Sequence, residues 1–209
     1  MVGQTEITGI FVERLAEIGE FFDGTGRVHQ AMRRIADRLQ AAGIRYAIIG
    51  GMAVNAHRHS RTTMDVDFLL SPDGLRELRR CAAANEFDPV PGRTRRFIDR
   101  PTGITFDALV AGMFPGNGTA GPIAFPEPAT VSTEIDGLHV VDLPTLIQLK
   151  LAAHRYQDFA DVINLIRANG LDDRFRDKLH PSVQSDYIEC IEEMRREDDY
   201  EARQDRASE

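Results

Sequence analysis

The sequence has few cysteines and no long apolar run. Its two cysteines, Cys81 and Cys190, lie far apart and match neither a zinc-binding nor a redox spacing, which predicts a reduced, intracellular chain. No apolar segment approaches the roughly 20 residues that cross a bilayer, and the N-terminal segment lacks a basic region followed by an apolar core. These absences predict a cytoplasmic protein without a membrane partner.

Lysine is also scarce. Only two of the 25 cationic side chains, Lys150 and Lys178, are lysines, and the net charge is −8. This balance argues against a protein that coats nucleic acid along its whole surface, but it permits a local basic groove. With 209 residues, 42% of them apolar, the chain is long enough for one domain with a real core.

Hydrophobic periodicity divides the chain into four parts. Residues 1–26 predict a helical extension, 27–142 a core domain that alternates helices and strands, and 143–195 a C-terminal helical part. The segment 196–209 is densely charged and lacks an apolar pattern, which predicts a disordered tail. The predicted fold class is α/β (α+β), a mixed twisted sheet flanked by helices.

Two aspartates interrupt an apolar strand predicted over residues 64–70. Because residues i and i+2 of a strand face the same side, Asp65 and Asp67 present adjacent carboxylates, while Met64, Val66 and Phe68 pack on the apolar side. Two negative charges this close repel each other. A hard divalent cation such as Mg²⁺ would relieve that repulsion.

A solvated pair on a surface strand is the alternative interpretation, and the apolar flanks of the aspartates argue against it. A third acid, Asp107, lies in another apolar strand, predicted over residues 103–110. If this strand lies beside the first, three carboxylates converge, and they could hold two divalent ions for a phosphoryl or nucleotidyl displacement. For Asp107 alone, a structural aspartate at a strand end is an equal alternative.

The glycine pair and the acids follow a known order. Gly50 and Gly51 stand between a strand and a helix, where backbone N–H groups can approach an anion. The segment Ile49-Gly50-Gly51, followed after thirteen residues by Asp65-Val66-Asp67-Phe68 and later by Phe106-Asp107-Ala108, resembles the signature of the DNA polymerase beta-like nucleotidyltransferase superfamily.

Two further segments narrow this resemblance. Arg61-Thr62-Thr63 precedes the aspartates, as in the small bacterial abortive-infection toxins and minimal nucleotidyltransferases. Like them, the chain continues with Leu146-Ile147-Gln148-Leu149-Lys150-Leu151 and then Asp158-Phe159-Ala160-Asp161. The resemblance covers residues 30 to 168 and implies a nucleotidyltransferase fold. A lysine that these relatives often carry is replaced here by Gln157.

The resemblance also implies roles for the three acids. Asp65 and Asp67 would bind both metals, Mg²⁺ or Mn²⁺, and Asp107 would bind one metal and help to deprotonate the acceptor hydroxyl. The acceptor oxygen would attack the α-phosphorus of a nucleoside triphosphate, and pyrophosphate would leave. Asp158 and Asp161 share a helical face and are interpreted first as structural residues that fix Arg155; the alternative is a contribution to the acceptor side of the site.

The same resemblance implies contacts to the nucleotide. Gly50 and Gly51 would cradle the β and γ phosphates, and Arg61 with Thr62 would lie near them. Lys150 lies in an apolar helical stretch and is predicted to contact the triphosphate. Its alternative is a stem packed on the core with the ammonium in water.

The sequence leaves the acceptor open between an RNA 3′ end such as that of tRNA, a side-chain hydroxyl of a partner protein, and a small molecule. A cluster of arginines could guide nucleic acid or protect an edge strand by its charge; it consists of Arg93, Arg95, Arg96 and Arg100. The Gly- and Pro-rich loop over residues 112–128 could close over the acceptor site as a lid.

Two other function classes compete with a nucleotidyltransferase of a toxin–antitoxin or phage-defence system. One is a non-catalytic binding partner, such as an antitoxin, which keeps the fold without turnover. The other is a metal-dependent phosphohydrolase that uses the same acids. The nucleotide base and the oligomeric state are not predicted.

Overall fold

A computed structural model describes residues 19–20, 24 and 26–207, so most of the predicted N-terminal extension lies outside the described residues. None of the described helices is both long and apolar enough to cross a membrane. Residues 26–207 form seven α-helices, which we number α1 (Arg27–Ala41), α2 (Gly50–Ala56), α3 (Pro72–Cys81), α4 (Pro128–Val131), α5 (Leu143–Ala153), α6 (Tyr156–Asn169) and α7 (Gln184–Ala207).

Seven strands of the described chain form one mixed sheet. They are β1 (Tyr46–Ile49), β2 (Val66–Leu70), β3 (Phe87–Pro89), β4 (Arg96–Asp99), β5 (Ile104–Val110), β6 (Ser132–Ile135) and β7 (Leu138–Val141). Their order is β3-β4-β5-β2-β1-β7-β6. The pairs β2/β5 and β1/β7 are parallel and the others are antiparallel. The predicted α/β class, a mixed sheet flanked by helices, is confirmed.

The strands at the centre of the sheet are mostly apolar, as their sequences predict, and Asp67 and Asp107 are the charged exceptions. All four residues of β1 are buried, and Phe68 of β2 meets Tyr46 and Phe106 edge to face, with ring centroids 5.5 Å and 6.1 Å away. Such aromatic pairs add to the stabilisation that area burial gives. The packing makes β1, β2 and β5 a rigid platform for the polar residues at their ends.

The strand that carries the aspartates is shorter than predicted. β2 begins at Val66, so Asp65 lies just before it and is exposed. The prediction that Met64 packs into the core is wrong, because its side chain is 82% exposed. The Thr63 hydroxyl donates to the Asp65 carbonyl, and this local turn replaces the strand ladder at that point.

The C-terminal tail differs from the prediction. Helix α7 continues through residues 196–207, where charge density predicted disorder. Arg167 of α6 donates to Glu197 at 3.0 Å and to Asp198 at 2.9 Å. The opposite charges that argued against folding are thus paired between two helices.

Candidate active site

The structure brings Asp65, Asp67 and Asp107 together at one edge of the central strands. Asp67 of β2 and Asp107 of β5 are direct register partners in the parallel pair. Asp65 reaches towards the same strand, because its Oδ1 accepts a hydrogen bond from the Thr105 hydroxyl at 3.0 Å. The predicted convergence of three carboxylates is therefore present.

Asp67 is the electrostatic centre of this group. Burial, followed by the like charges of Asp107 and Asp65, raises the pKa of Asp67 to about 6. Lys150 and Arg155 oppose this rise through their positive charges. Burial and the two neighbouring carboxylates thus outweigh the two cations in their effect on the pKa of Asp67.

The raised pKa predicts that Asp67→Asn stabilises the metal-free protein above pH 6. When folding raises the pKa of a carboxyl group, the protonated group favours the folded protein. This contribution to stability is lost as the pH rises through the folded pKa, about 6. Removing the charge should gain up to about 3 kcal/mol at pH 8. Urea denaturation with a chelator should show this gain shrink between about pH 6 and pH 4; a pH-independent difference would contradict the prediction.

Gly50 lets the backbone approach Asp67. It adopts a φ of +66°, and a Cβ at this position would lie 2.0 Å from Asp67 Oδ2. Gly51 packs similarly, with its Cβ position 2.9 Å from the Thr63 side chain and 3.1 Å from Arg61 Nη2. The glycines thus have a steric role that their sequence context did not reveal, beside the predicted phosphate contact.

Gly50→Ala should therefore displace the Asp67 carboxylate. We expect a loss of about 1–2 kcal/mol from the left-handed backbone and a further loss of about 1–3 kcal/mol from the steric overlap. Gly92→Ala is the matched control, because Gly92 has a φ of +72° and no atom within 4 Å of its Cβ position. Chemical denaturation of both variants isolates the contact with Asp67, and equal losses would show that only backbone strain matters.

Arg61 and Thr62 are placed differently from each other. Arg61 Nε lies 2.7 Å from Asp161 Oδ1, and its Nη2 donates to Asp161 Oδ2 at 3.1 Å. Thr62 is exposed, and its carbonyl accepts from Arg61. Arg61 therefore ties the segment before the aspartates to α6, and the predicted nucleotide contacts of Arg61 and Thr62 stay predictions.

Lys150 is buried in an ion-pair network. Its Nζ donates to Asp158 Oδ1 at 3.0 Å and to Asp161 Oδ2 at 2.6 Å. Only 6% of the lysine is exposed, so the alternative of an ammonium in water is wrong. Arg155 Nε donates to Asp158 Oδ2 at 2.7 Å, which agrees with the predicted structural role of the two acids. A triphosphate contact by Lys150 stays a prediction.

Sequence reasoning missed the role of Arg96. This residue is the register partner of Asp107 across β4 and β5, and its guanidinium donates to both carboxylate oxygens of Asp107. Arg100 is similarly paired with Asp88. The predicted basic patch is therefore partly neutralised by neighbouring strands, and only the strand register reveals which arginine meets which acid.

A cavity of about 330 Å³ opens beside the acids. Asp67, Asp107 and Lys150 line it, together with residues 113–118 of the predicted loop. The loop is held at its base, where Gly112 N–H donates to Phe125 and Phe125 N–H donates to Met113. The Cβ position of Gly116 lies 2.8 Å from the Ala153 carbonyl oxygen. The loop thus forms one wall of the cavity, and its closure as a lid stays a prediction.

The donor set has the chemistry of a divalent cation site. It offers hard carboxylate oxygens, and burial together with the neighbouring carboxylates raises the pKa of Asp67, which a bound cation would oppose. Among residues 26–207, however, no group of three or more His, Cys, Asp or Glu side chains is arranged to hold a metal ion. Arg96 provides a reason, since it engages both oxygens of Asp107. The residues fit a cation, provided that this contact rearranges.

Comparisons with known proteins give little further information. No protein-family model matches the chain, and no curated protein does. Among solved structures, a STING-associated CdnE c-di-GMP synthase from Capnocytophaga granulosa matches with a TM-score of 0.29 and 12% identity over 70% of this chain. The match spans 50% of that synthase. At this TM-score the likeness carries no argument about this protein.

Proposed function

We propose that the protein is a nucleotidyltransferase that moves a nucleoside monophosphate from a nucleoside triphosphate to an acceptor hydroxyl. The observation that carries this proposal is the register pairing of Asp67 with Asp107, beside a glycine turn that leaves no room for a side chain. Carboxylates at one strand edge next to backbone N–H groups suit a bound metal triphosphate.

In this proposal the acids hold Mg²⁺ or Mn²⁺. Asp65 and Asp67 supply oxygen ligands from β2 and the residue before it, and Asp107 supplies one from β5. When bound, the ion would stabilise the charge that develops on the phosphoryl oxygens. Asp107 would also accept the proton of the acceptor hydroxyl. A general base in this role must lie within hydrogen-bonding distance of that hydroxyl.

The phosphates would lie at the turn formed by Gly50 and Gly51. The N-cap residue of α2 is Ile49, whose apolar side chain cannot accept from the first N–H groups of the helix. Arg61 and Thr62, and Lys150 through its buried network, would position this end of the site. The acceptor, whether an RNA such as tRNA, a partner protein or a small molecule, would enter through the cavity beside residues 113–118.

A labelling experiment tests the proposal. The protein is incubated with each α-³²P nucleoside triphosphate, Mg²⁺ and cell extract, and the label is followed into RNA, protein and small molecules. Asp67→Asn should abolish the transfer, whereas Asp177→Asn should not, because Asp177 is 75% exposed on the surface. No transfer above the Asp67→Asn background with any nucleotide would overturn the proposal, and release of orthophosphate would indicate a phosphohydrolase.

One observation favours a second candidate, a non-catalytic binding partner in a toxin–antitoxin or phage-defence system. Both oxygens of Asp107 are held by Arg96, an arrangement that would also suit an acid retained only for structure. Calorimetry separates the two candidates. The second predicts no affinity for Mg²⁺ or for nucleotide, together with a stable complex with a partner protein.

A further inference from the structure

The contact between Arg96 and Asp107 is a bidentate ion pair. Arg96 Nε lies 3.0 Å from Oδ1 and 3.2 Å from Oδ2, and Nη2 donates to Oδ2 as well. The side chain of Asp107 is 25% exposed and that of Arg96 is 39% exposed. Two parallel charge-assisted hydrogen bonds of this kind fix the orientation of a carboxylate.

The Asp107 carboxylate lies between a second carboxylate and the arginine. Asp107 is paired in register with Asp67 on one side and with Arg96 on the other. Arg96 carries one positive charge, and it contacts Asp107 rather than Asp67. A guanidinium therefore neutralises one acid of the pair and leaves the other without an equivalent partner.

We infer that the Arg96 guanidinium competes with the divalent cation for the carboxylate oxygens of Asp107. We call this contact between Arg96 and Asp107 the latch. In the nucleotide-free protein the arginine holds Asp107, so a cation would have to be held by Asp65 and Asp67. The full set of three acids would become available only when the guanidinium leaves. Arg96 is thus a positioning residue that sets the cation affinity of the site, and this inference rests on the proposed role of Asp107 as a ligand.

Repulsion between the carboxylates explains why an arginine at this position stabilises the site. Three carboxylates without a cation repel each other, and an arginine on the neighbouring strand reduces that repulsion while the site is empty of nucleotide. The Arg96 side chain is 39% exposed, which leaves the guanidinium a path to solvent. With a metal triphosphate in the cavity, Asp107 would gain a divalent cation as its partner, and the released Arg96 could pair with a phosphate.

Mn²⁺ binding to the nucleotide-free protein tests this inference without turnover. We expect Arg96→Gln to lower the dissociation constant for Mn²⁺, measured from the paramagnetic resonance signal of free Mn²⁺, by about tenfold, because the competing charge-assisted bonds are lost. Arg96→Lys, which keeps the charge but not the bidentate fork, should give an intermediate constant. Circular dichroism checks that each variant is folded.

Two further variants make the result specific. Arg100→Gln is the matched control, because Arg100 pairs with Asp88 at 2.7 Å in the same part of the sheet, and its loss should leave the constant unchanged. In the double variant Arg96→Gln/Asp107→Asn the gain should vanish, since the competed ligand is absent. A gain that persists there would show a general charge effect and overturn the latch.

The outcomes separate the latch from the proposed function. An unchanged or raised dissociation constant in Arg96→Gln overturns the latch, whatever the activity. If neither the wild type nor Arg96→Gln binds Mn²⁺, the latch and the cation role of Asp107 both fail. If the wild type binds Mn²⁺ and Arg96→Gln binds it more tightly, but no nucleotide is transferred, the latch stands and the proposed function fails.

Discussion

Asp67→Asn should lower the rate of nucleotidyl transfer by about a thousandfold or more, while the protein stays folded. Asp67 lies at the centre of the acid group, with Asp107 opposite it in register and Gly50 against its Oδ2. An amide keeps the shape of the side chain but cannot supply the second anionic ligand. The charge stabilisation that a bound cation gives is several kcal/mol, which corresponds to this loss of rate.

Single-turnover transfer of α-labelled nucleotide measures the effect, with Asp177→Asn as the control. The same Asn variant should be more stable than the wild type at pH 8 without metal, because burial and like charges raise the pKa of Asp67 to about 6. Activity and stability thus move in opposite directions. A variant that loses both has lost its fold, and one that keeps wild-type transfer shows that Asp67 has no part in the reaction.

The main features of the fold could be predicted because they depend on local sequence. The apolar strands β1, β2 and β5 and the N-cap of α3, where Ser71 accepts from Gly74 N–H, are all visible in the sequence. The short strand β3 was missed, because three residues carry too little pattern. The helical tail was missed because its stabilising pairs join α7 to α6, which charge composition alone does not reveal.

Some features of the candidate site could also be predicted from the sequence, and others could not. The apolar pattern predicted the two strands that carry these acids, and Asp65, Asp67 and Asp107 were expected to converge only if those strands were neighbours, as the parallel pair β2/β5 is. Among the cations, Arg155 was expected beside Asp158 and Asp161 and does pair with Asp158, but the partners of Arg96 and Lys150 could not be predicted. Arg96 meets Asp107 through the register of β4 with β5, and Lys150 meets Asp161 across the turn between two helices. Neither contact has a signature at fixed sequence spacing.

Asp161→Asn should destabilise the protein by about 3 kcal/mol, the largest loss expected from any single charge removal outside the acid group. Asp161 is 1% exposed, and its carboxylate accepts from Lys150 at 2.6 Å and from Gln157 at 3.1 Å. Arg61 Nε also lies 2.7 Å from it. Without this carboxylate the buried ammonium of Lys150 keeps only Asp158 as an anionic partner.

Urea denaturation at pH 7 measures this loss, and two further variants show that it arises from buried charge. Asp73→Asn breaks an exposed pair with Arg76, in which Asp73 is 83% exposed, and should cost less than about 1 kcal/mol. Lys150→Met/Asp161→Asn removes the ammonium together with its partner and should be less destabilised than Asp161→Asn alone, because no uncompensated lysine stays buried. If the double variant loses the sum of its single losses, the two residues act independently, and the network is not what holds α5 and α6 to the segment before the aspartates.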